Sequence, residues 1–451
     1  MADYVVLLSI AGLREKDVAA MRNLRELVAG GEIADLVPSF PCVTCPVQAN
    51  MTTGQLPRAH GVVANGFFWR QRGQVEMWTS PNECIQRPQI WDLLSQHDLE
   101  LTSAVWFALH SKECDAEYVC TPAPIHNPDG SESLWCYTRP PQHYGTLRDQ
   151  LGHFPLTHFW GPMANIRSTA WIAESAVLAA KGWQPRFFYV YLPHLDYAAQ
   201  RHGPDSPAAQ QAVAELDEVL GRLAQGFREA YEDRVLWLAA GEYAIVPVNH
   251  VVYPNRLLRE AGLLAVRPQD DGEHLDVGAS RAWAMVDHQF AHVFVAGGDR
   301  EVVARVVDLF ANQPGIADVL VGHDLARYAL DHQRSGDVVL VSTPDSWQAY
   351  YWWLSDDRAP AFARTVDIHR KPGYDPVELC FDPHTKSIPL DAGLIQGSHG
   401  APARDLSQRT VLLASEPGLF PRSTVADTDV FGVVLRQFGI HMTASHPGDS
   451  P

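Results

Sequence analysis

The sequence predicts an α/β fold in which helices flank a mostly parallel central sheet. Short runs rich in β-branched and aromatic residues, typical of strands buried on both faces, alternate with segments whose apolar residues recur at helical spacing. Apolar residues make up 46% of the 451-residue chain, which is enough for a large core. Charged residues make up only 20%, which argues against a disordered chain or a coiled coil. Strand–helix alternation of this kind is the pattern of a parallel sheet with helical crossovers.

The alternation begins at the N-terminus. The run "YVVLLSI" (4–10) predicts a buried first strand and not a signal peptide, because no basic residue precedes it and no small-residue cleavage site follows it. A helix is predicted within 16–32, with Gly30 and Gly31 ending it. Further along the chain we expect strands at 102–109, 186–192, 233–241, 291–298 and 335–343, and helices at 169–183, 207–232, 255–264 and 300–315.

Two stretches interrupt this alternation. Residues 110–160 are rich in Pro, His, Tyr and Trp, and residues 345–402 are irregular and aromatic. Long irregular insertions in a compact α/β protein usually form site walls or lids. No linker divides the chain, so we expect a single catalytic domain over 1–451, with 110–160 and 345–402 forming the walls or lid of its site.

Charge and cysteine content restrict the classes of partner. The net charge of −18 should repel nucleic-acid polymers and anionic membranes, so an anionic substrate would need a local positive device such as a metal ion or a helix N-terminus. The seven cysteines are odd in number and the chain is too large to need disulfides, which predicts a reduced, cytoplasmic protein. No uncharged apolar stretch of about 18 residues predicts a membrane span.

The segment "PSFPCVTCPVQANMTTG" (38–54) contains a CxxC from Cys42 to Cys45. A zinc site would need a second pair at similar spacing, which the chain lacks. A redox pair would open a helix, and Pro46 is compatible with a helix start, so this alternative stays open. In a third interpretation Thr44 begins the helix, where backbone N–H groups and the macrodipole favour negative charge and suit an oxygen nucleophile. Thr44 as a simple helix cap is the competing structural explanation.

The residues after Thr44 favour the nucleophile. Thr44, "TTG" ending at Gly54 and "LPRAHGVVAN" ending at Asn65 resemble, in type and spacing, a segment of the alkaline phosphatase superfamily. The resemblance is to its nucleotide pyrophosphatase/phosphodiesterase (type I phosphodiesterase) and phosphonoacetate hydrolase branch. Further blocks follow in the family's order, at 189–207 with Asp196, at 235–248, and at "GSHGAP" with His399.

This resemblance implies an alkaline phosphatase-like fold, a three-layer sandwich with irregular lid or cap insertions. It also implies that Thr44 is the nucleophile, that Asn65 donates to a phosphate oxygen, and that Asp196 and His399 bind a metal ion.

The sequence departs from the family's pattern at four of the six Asp/His metal ligands. Ala11 stands where the first strand ends in Asp, Gln200 replaces a His four residues after Asp196, and Gly241-Glu242 stands for the Asp-His pair of "SDHGM". With these departures the resemblance implies one divalent ion, zinc or the harder manganese or magnesium, rather than two. Its expected ligands are Asp196, His399, Glu242 and the Gln200 carbonyl, and a metal-free site is the alternative.

Other polar residues compensate for the lost ligands in this interpretation. Asp287 and His288, at the edge of a predicted strand, are candidates for a ligand or an acid–base pair, whereas His292 alternates with apolar residues and suits a buried structural role. His369, Arg370 and Lys371 form a basic cluster that would contact a substrate phosphate or carboxylate, or else a solvated loop.

The expected function is hydrolysis of phosphoric esters, phosphodiesterase- or nucleotide pyrophosphatase-like, through a covalent phosphothreonine on Thr44. The substrate would be a small phosphorylated molecule. Two alternatives remain: a protein that binds a phosphorylated metabolite without hydrolysing it, which the lost ligands favour, and an isomerase or phosphoryl-transfer variant on the same scaffold.

Overall fold

The computed structural model describes residues 2–126 and 132–441. Residues 127–131, which belong to the insertion predicted at 110–160, lie outside the described residues. Residue 1 and residues 442–451, at the two ends of the expected domain, also lie outside them.

The helices in chain order are α1 (Glu15–Val18), α2 (Arg22–Leu27), α3 (Thr44–Thr53), α4 (Pro57–His60), α5 (Ile90–His97) and α6 (His143–Leu151). They continue with α7 (Ile166–Trp183), α8 (His194–His202), α9 (Pro207–Tyr231), α10 (Pro254–Glu260), α11 (Arg300–Phe310) and α12 (Asp429–Gln437).

The first half of the chain contributes strands β1 (Tyr4–Ile10), β2 (Glu32–Val37), β3 (Gly66–Trp69), β4 (Gln74–Met77), β5 (Ser103–Trp106), β6 (Tyr118–Pro122), β7 (Ile125–His126), β8 (Glu132–Ser133), β9 (Cys136–Arg139) and β10 (Phe187–Leu192). The middle contributes β11 (Val235–Gly241), β12 (Val246–Pro247), β13 (His250–Val252), β14 (Val266–Gln269), β15 (Gly272–Leu275), β16 (Ala282–Asp287) and β17 (Phe290–Val295). The last strands are β18 (Ile316–Val321), β19 (Val338–Ser342), β20 (Ser346–Gln348), β21 (Gly397–Ser398), β22 (Thr410–Ala414) and β23 (Thr424–Ala426).

Nine strands form the central sheet, in the order β23-β2-β22-β11-β1-β10-β5-β6-β9. Its middle, from β11 to β6, is parallel. Antiparallel pairs occur where β22 joins β11 and β2 and where β9 joins β6. Strands β1, β10 and β11 and the apolar sides of α7 and α9 share one large core. This confirms the predicted α/β class, a mostly parallel central sheet flanked by helices.

A second, antiparallel sheet runs in the order β16-β17-β19-β18 and has its own core. The aromatic stretch Trp347–Trp353 of the second insertion is buried in this core. The site described below draws residues from both sheets.

The helix predicted within 16–32 is wrong in its length. The segment forms two short helices, α1 and α2, and the chain turns into β2 at Glu32. Helix α2 ends at Leu27, and Gly30 takes a left-handed conformation with φ of 84°. The chain then packs closely on β22, where a Cβ on Gly31 would lie 1.8 Å from the carbonyl oxygen of Ala414.

Candidate active site

The site is built where three parallel strands of the central sheet end together. Ile10 at the end of β1 pairs with Leu192 of β10 and with Gly241 of β11. Asp196 lies in α8 just after β10, and Glu242 and Tyr243 follow β11 directly. The carboxyl ends of parallel strands are where α/β sheets bind ligands.

Thr44 is the first residue of α3, and it does not cap the helix. The N-cap is Val43, and no side chain caps this end. The Thr44 hydroxyl instead lies 3.0 Å from the hydroxyl of Tyr243. Thr44 is buried yet lines the large cavity of the molecule. Its hydroxyl is therefore held at the floor of a cavity by a residue of another element.

Glu242 is fully buried behind Thr44. One carboxylate oxygen, Oε1, accepts hydrogen bonds from Ser9 Oγ at 2.6 Å and Gln48 Nε2 at 2.8 Å. The other, Oε2, has no hydrogen-bond partner among the described residues. Burial raises the pKa of Glu242 to about 8, although the bonds from Ser9 and Gln48 lower it.

Asp196 is held by neutral donors. Gln200 Nε2 donates to Asp196 Oδ2 at 2.6 Å, and Tyr243 donates a long bond, 3.4 Å, to Asp196 Oδ1. The carbonyl oxygen of Gln200 accepts from the Tyr374 hydroxyl at 2.8 Å. Burial raises the pKa of Asp196 to about 7. The Gln200 carbonyl oxygen thus already accepts one hydrogen bond, and its role as an ion ligand stays a prediction.

His399 lies beside Asp196 in a fixed orientation. Its Nδ1 donates to the Cys42 carbonyl at 2.8 Å, which leaves Nε2 as the unprotonated nitrogen. Nε2 has no hydrogen-bond partner among the described residues and lies 3.6 Å from Asp196 Oδ1. Burial lowers the pKa of His399 well below its usual range.

Asn65, Asp287 and His288 form a buried hydrogen-bonded group next to the start of α3. Asn65 Oδ1 accepts from the Cys45 backbone N–H at 3.0 Å, and Asp287 accepts from both the backbone and the amide of Asn65. His288 Nδ1 lies 2.7 Å from Asp287 Oδ1. Asn65 is thus tied to the helix and to Asp287, and donation to a ligand stays a prediction. Burial raises the pKa of Asp287 to about 6.

His288 reaches the cavity because of its backbone conformation. It occupies the tight turn between β16 and β17 with φ of 57°, a left-handed conformation unfavourable for a bulky side chain. Its ring stacks on Tyr374 at a centroid distance of 3.7 Å. His292 has the structural role predicted for it, with Nε2 bonded to the Val63 carbonyl and Nδ1 to the Gly336 N–H.

The cavity above Thr44 has a volume of about 1480 Å³. Residues of both predicted insertions line it, and its walls are rich in aromatic side chains, including Trp69, Trp78, Phe107, Phe159, Trp160 and Tyr374. Basic side chains also line it: Arg72, Lys112, Arg334, His369 and Arg370. Four acidic side chains, those of Glu76, Glu83, Asp196 and Asp367, line it as well, so the basic side chains offer an anionic ligand local positive charge within a wall of mixed sign.

The basic cluster at 369–371 divides into two parts. His369 and Arg370 line the cavity, and Arg370 forms an ion pair with Asp367. Lys371 is buried and lies 2.8 Å from Asp375 and 2.6 Å from Glu378. The expectation that Lys371 contacts a substrate anion is wrong, because two buried carboxylates already take up its charge.

The CxxC is not an exposed thiol pair. Cys42 and Cys45 are buried, and burial raises the pKa of both thiols above the usual range. A buried thiol with a raised pKa is a poor nucleophile, so the redox alternative finds no support in this geometry. All seven cysteines are free. The cytoplasmic location stays a prediction.

The residues present do not make the ion site that the sequence predicts. Among the described residues no three His, Cys, Asp or Glu side chains lie together so that they could hold a metal ion. Asp196, Glu242 and His399 therefore do not form the predicted ligand set, although Oε2 of Glu242 has no hydrogen-bond partner among the described residues. Asp196 Oδ1 and the unpartnered Nε2 of His399 fit one ion as a pair of ligands, too few for a tight zinc site. Binding of one ion here stays a prediction.

Tyr243 and Tyr374 are site residues that the sequence analysis missed. Tyr243 follows Glu242 directly after β11, and its hydroxyl contacts both Thr44 and Asp196. Gly241 faces the other way, since a Cβ there would lie 1.7 Å from Thr410 Oγ1. Counting from the end of β11 would have found Tyr243; no pattern in the irregular second insertion marks Tyr374.

Within the described residues, no helix is both long and apolar enough to cross a membrane.

Two curated yeast proteins are similar in sequence. An uncharacterised pyrophosphatase/phosphodiesterase of Schizosaccharomyces pombe is 28% identical over 204 residues, 44% of this chain and 35% of that protein. Ectonucleotide pyrophosphatase/phosphodiesterase 1 of Saccharomyces cerevisiae is 23% identical over 238 residues, which are 50% of this chain and 30% of that protein. The matches span about a third of these longer relatives.

Solved structures share the fold over nearly the whole chain. Phosphonoacetate hydrolase from Sinorhizobium meliloti, in complex with phosphonoformate, has a TM-score of 0.60 at 17% identity and covers 95% of this chain and 94% of its own. An inactive variant of murine ectonucleotide pyrophosphatase/phosphodiesterase 5, in complex with AMP, has a TM-score of 0.64 at 14% identity. The match covers 99% of this chain and 97% of the murine chain.

A family model describes the chain more directly than any single relative. The model for type I phosphodiesterase/nucleotide pyrophosphatase matches residues 5–375, which include every strand end of the site apart from the segment of His399. The chain belongs to the type I phosphodiesterase/nucleotide pyrophosphatase family.

Proposed function

We propose that this protein hydrolyses a phosphoric ester of a small metabolite, with Thr44 as the nucleophile. The observation that carries the proposal is the position of the Thr44 hydroxyl. It lies at the start of α3, at the floor of a cavity of about 1480 Å³ with basic and aromatic walls, and hydrogen-bonds to Tyr243. Membership of a phosphodiesterase family agrees with this chemistry.

The reaction proceeds in two steps on this geometry. In the first, a bond forms between Thr44 Oγ1 and phosphorus while the bond from phosphorus to the leaving oxygen breaks, and the hydroxyl proton ends on the departing alcohol. In the second, water cleaves the phosphothreonine, which restores Thr44 and releases the phosphate. The hydroxyl of Tyr243 fixes the direction of the Thr44 oxygen, and the aromatic walls exclude water around it.

One divalent ion is part of this proposal. Asp196 Oδ1 and His399 Nε2 would hold it, and when bound it supplies positive charge that stabilises the phosphoryl oxygens. Basic side chains at the cavity, above all Arg370, contribute further charge towards an anionic substrate.

Steady-state assays test the proposal. Wild type is assayed on bis-(p-nitrophenyl) phosphate and p-nitrophenyl phosphate with Mn²⁺, Zn²⁺ or Mg²⁺, beside Thr44→Ala and Thr44→Ser. We expect turnover in wild type, a weaker rate in Thr44→Ser, and none above background in Thr44→Ala. Thr53→Ala, on the same helix, is the matched control, because the Thr53 hydroxyl bonds to the Ala49 carbonyl and the Gln55 N–H and does not line the cavity. Full activity in Thr44→Ala would reject Thr44 as nucleophile.

A binding protein without turnover is the second candidate. The observation that favours it is the hydrogen-bonded chain from Tyr374 through Gln200 to Asp196, in which neutral donors satisfy a buried carboxylate. If wild type turns over no ester in a broad panel but binds phosphate monoesters by calorimetry, and Thr44→Ala binds them equally, this second function replaces the first.

A further inference from the structure

His110 is a buried residue of the cavity wall that takes no part in the proposed reaction. Its side chain lines the cavity above Thr44, although the residue is only 1% exposed. Its Nδ1 lies 2.6 Å from the carbonyl oxygen of Thr79, so this nitrogen carries a hydrogen and donates it. The other ring nitrogen, Nε2, has no hydrogen-bond partner among the described residues. A buried polar atom without a partner costs free energy, which favours a partner supplied by a ligand.

The imidazole of His110 is neutral. Burial lowers the pKa of His110 to about 4, and the positive charge of Arg334 lowers it further, although the hydrogen bond to Thr79 raises it. At neutral pH Nε2 is therefore an acceptor only. Arg334 is held in place by hydrogen bonds to the carbonyls of Gly61 and Cys84. Its charge disfavours an ammonium group beside His110, so a neutral hydroxyl is the donor that suits Nε2.

The position of His110 is fixed from several sides. The carbonyl oxygen of His110 accepts from the Asn82 amide at 2.7 Å, and its ring packs against the ring of Phe67 at a centroid distance of 5.6 Å. His110 and Phe107 have φ of 54° and 61°, left-handed conformations that are unfavourable for bulky side chains. Since the ring cannot turn without breaking the bond to Thr79, Nε2 is pre-organised for a ligand.

The segment of His110 is tied to the helix of the proposed nucleophile. The backbone N–H of Leu109 donates to Gln48 Oε1 at 2.8 Å. Gln48 follows Thr44 by four residues on α3, which is about one helical turn. Thr44 and His110 also line the same cavity. A ligand whose phosphoryl group lies at Thr44 can therefore extend its organic part to His110.

From this we infer that Nε2 of His110 accepts a hydrogen bond from a hydroxyl group in the alcohol part of the substrate, so that the site selects phosphoric esters of hydroxylated alcohols. The inference rests on the proposed function in that a phosphoryl group binds at Thr44. A buried acceptor discriminates against a ligand that lacks the hydroxyl, because that ligand leaves the acceptor unpaired. His110 is thus a specificity-determining residue that contacts the substrate away from the bonds that form and break.

Equilibrium binding tests the inference without any assay of activity. The ligands are pairs of phosphonates, which lack an ester bond: an ω-hydroxyalkylphosphonate with two to six carbons, and the alkylphosphonate in which a methyl group replaces the hydroxyl. Calorimetry with the full-length protein measures the dissociation constant of each. We expect the hydroxyl member to bind at least about tenfold more tightly at one or more chain lengths. No preference in any pair, or no binding of either series, would overturn the inference.

His110→Asn removes the acceptor with little other change. The Asn amide can still donate to the Thr79 carbonyl, and Asn tolerates the left-handed backbone well, but it has no atom at the position of Nε2. We expect the preference for the hydroxyl to fall at least about fivefold while the affinity for alkylphosphonates and the melting temperature stay near those of wild type. His97→Asn, at the exposed end of α5 and away from the cavity, is the matched control. A preference that persists in His110→Asn would overturn the inference.

The outcome separates this inference from the proposed function. A hydroxyl preference that depends on His110, in a protein that turns over no ester, keeps the inference and removes the hydrolase. Turnover that depends on Thr44 but treats hydroxylated and plain alkyl esters alike keeps the hydrolase and removes the inference.

Discussion

The phenol ring of Tyr243 lies flat on the imidazole of His399, with ring centroids 3.6 Å apart and planes 5° apart. The same tyrosine hydroxyl reaches Thr44 at 3.0 Å and Asp196 at 3.4 Å. One side chain therefore orients both the proposed nucleophile and a proposed ligand, and its ring and its hydroxyl can be tested separately.

Tyr243→Phe keeps the stacked ring and removes the hydroxyl. We expect kcat on bis-(p-nitrophenyl) phosphate to fall about tenfold or more with little change in KM, because a hydrogen bond that places the nucleophile is worth ~1 kcal/mol or more. The melting temperature should stay close to that of wild type. Tyr243→Leu removes the ring as well and should also lower the melting temperature. A Phe variant with wild-type kcat would show that the hydroxyl does not position Thr44.

Glu242 should make the protein less stable as the pH rises. Its pKa is about 8 in the folded state and near 4.5 in an unfolded chain, so the folded state binds more protons between these values. The free energy of unfolding therefore decreases with rising pH in this window, by up to ~1.4 kcal/mol per pH unit for one group. Glu242→Gln removes this titration. Urea unfolding of chelator-treated protein between pH 5 and 8 should show the Gln variant gaining stability over wild type, and a constant difference would contradict the assignment.

We expect Lys371 to contribute to stability and its neighbour Arg370 to contribute to binding of an anionic substrate. Lys371→Met leaves Asp375 and Glu378 buried without their cation, and we expect a loss of about 3–5 kcal/mol in unfolding free energy. Arg370→Gln changes an exposed residue at the cavity, so it should leave stability nearly unchanged and raise KM for an anionic ester. A stable Lys371→Met variant with a raised KM would reverse the two roles.

The cysteines of the CxxC should be inert. With 5,5′-dithiobis-(2-nitrobenzoic acid) at pH 8, the native protein should release colour first from Cys380, which is partly exposed, while Cys42 and Cys45 react only on unfolding. Cys380→Ser should remove the early phase. Cys42→Ala and Cys45→Ala should retain ester turnover, and early modification of either residue, located by peptide mass spectrometry, would revive the redox alternative.

The sequence predicted the sheet well because strands buried on both faces carry a strong local signal. The first strand and helices α7 and α9 lie within a few residues of their predicted positions. The prediction failed at 16–32, where the segment forms two short helices and then packs Gly31 closely against the distant Ala414. Such a contact depends on tertiary packing and leaves no periodicity in the local sequence.

Site residues could be predicted from the sequence where they belong to a motif with fixed spacing between its residues. Thr44, Asn65, Asp196 and His399 do meet around the end of the sheet, although the roles assigned to them stay predictions. The role of Lys371 was misjudged because its residue type does not show that the buried carboxylates of Asp375 and Glu378 pair with it. A residue's type indicates what it can bind, whereas its neighbours in the fold decide what it does bind.

The two insertions cannot be exchanged independently between relatives. Trp160, at the end of the first, donates its indole N–H to Glu378 of the second at 2.6 Å and packs against Tyr374. A chimera that receives only a foreign first insertion would deprive Glu378 of a donor and uncover Tyr374, the residue that bonds to Gln200 at the carboxyl end of the sheet. To change the ligand preference of this scaffold, both insertions therefore have to be replaced together.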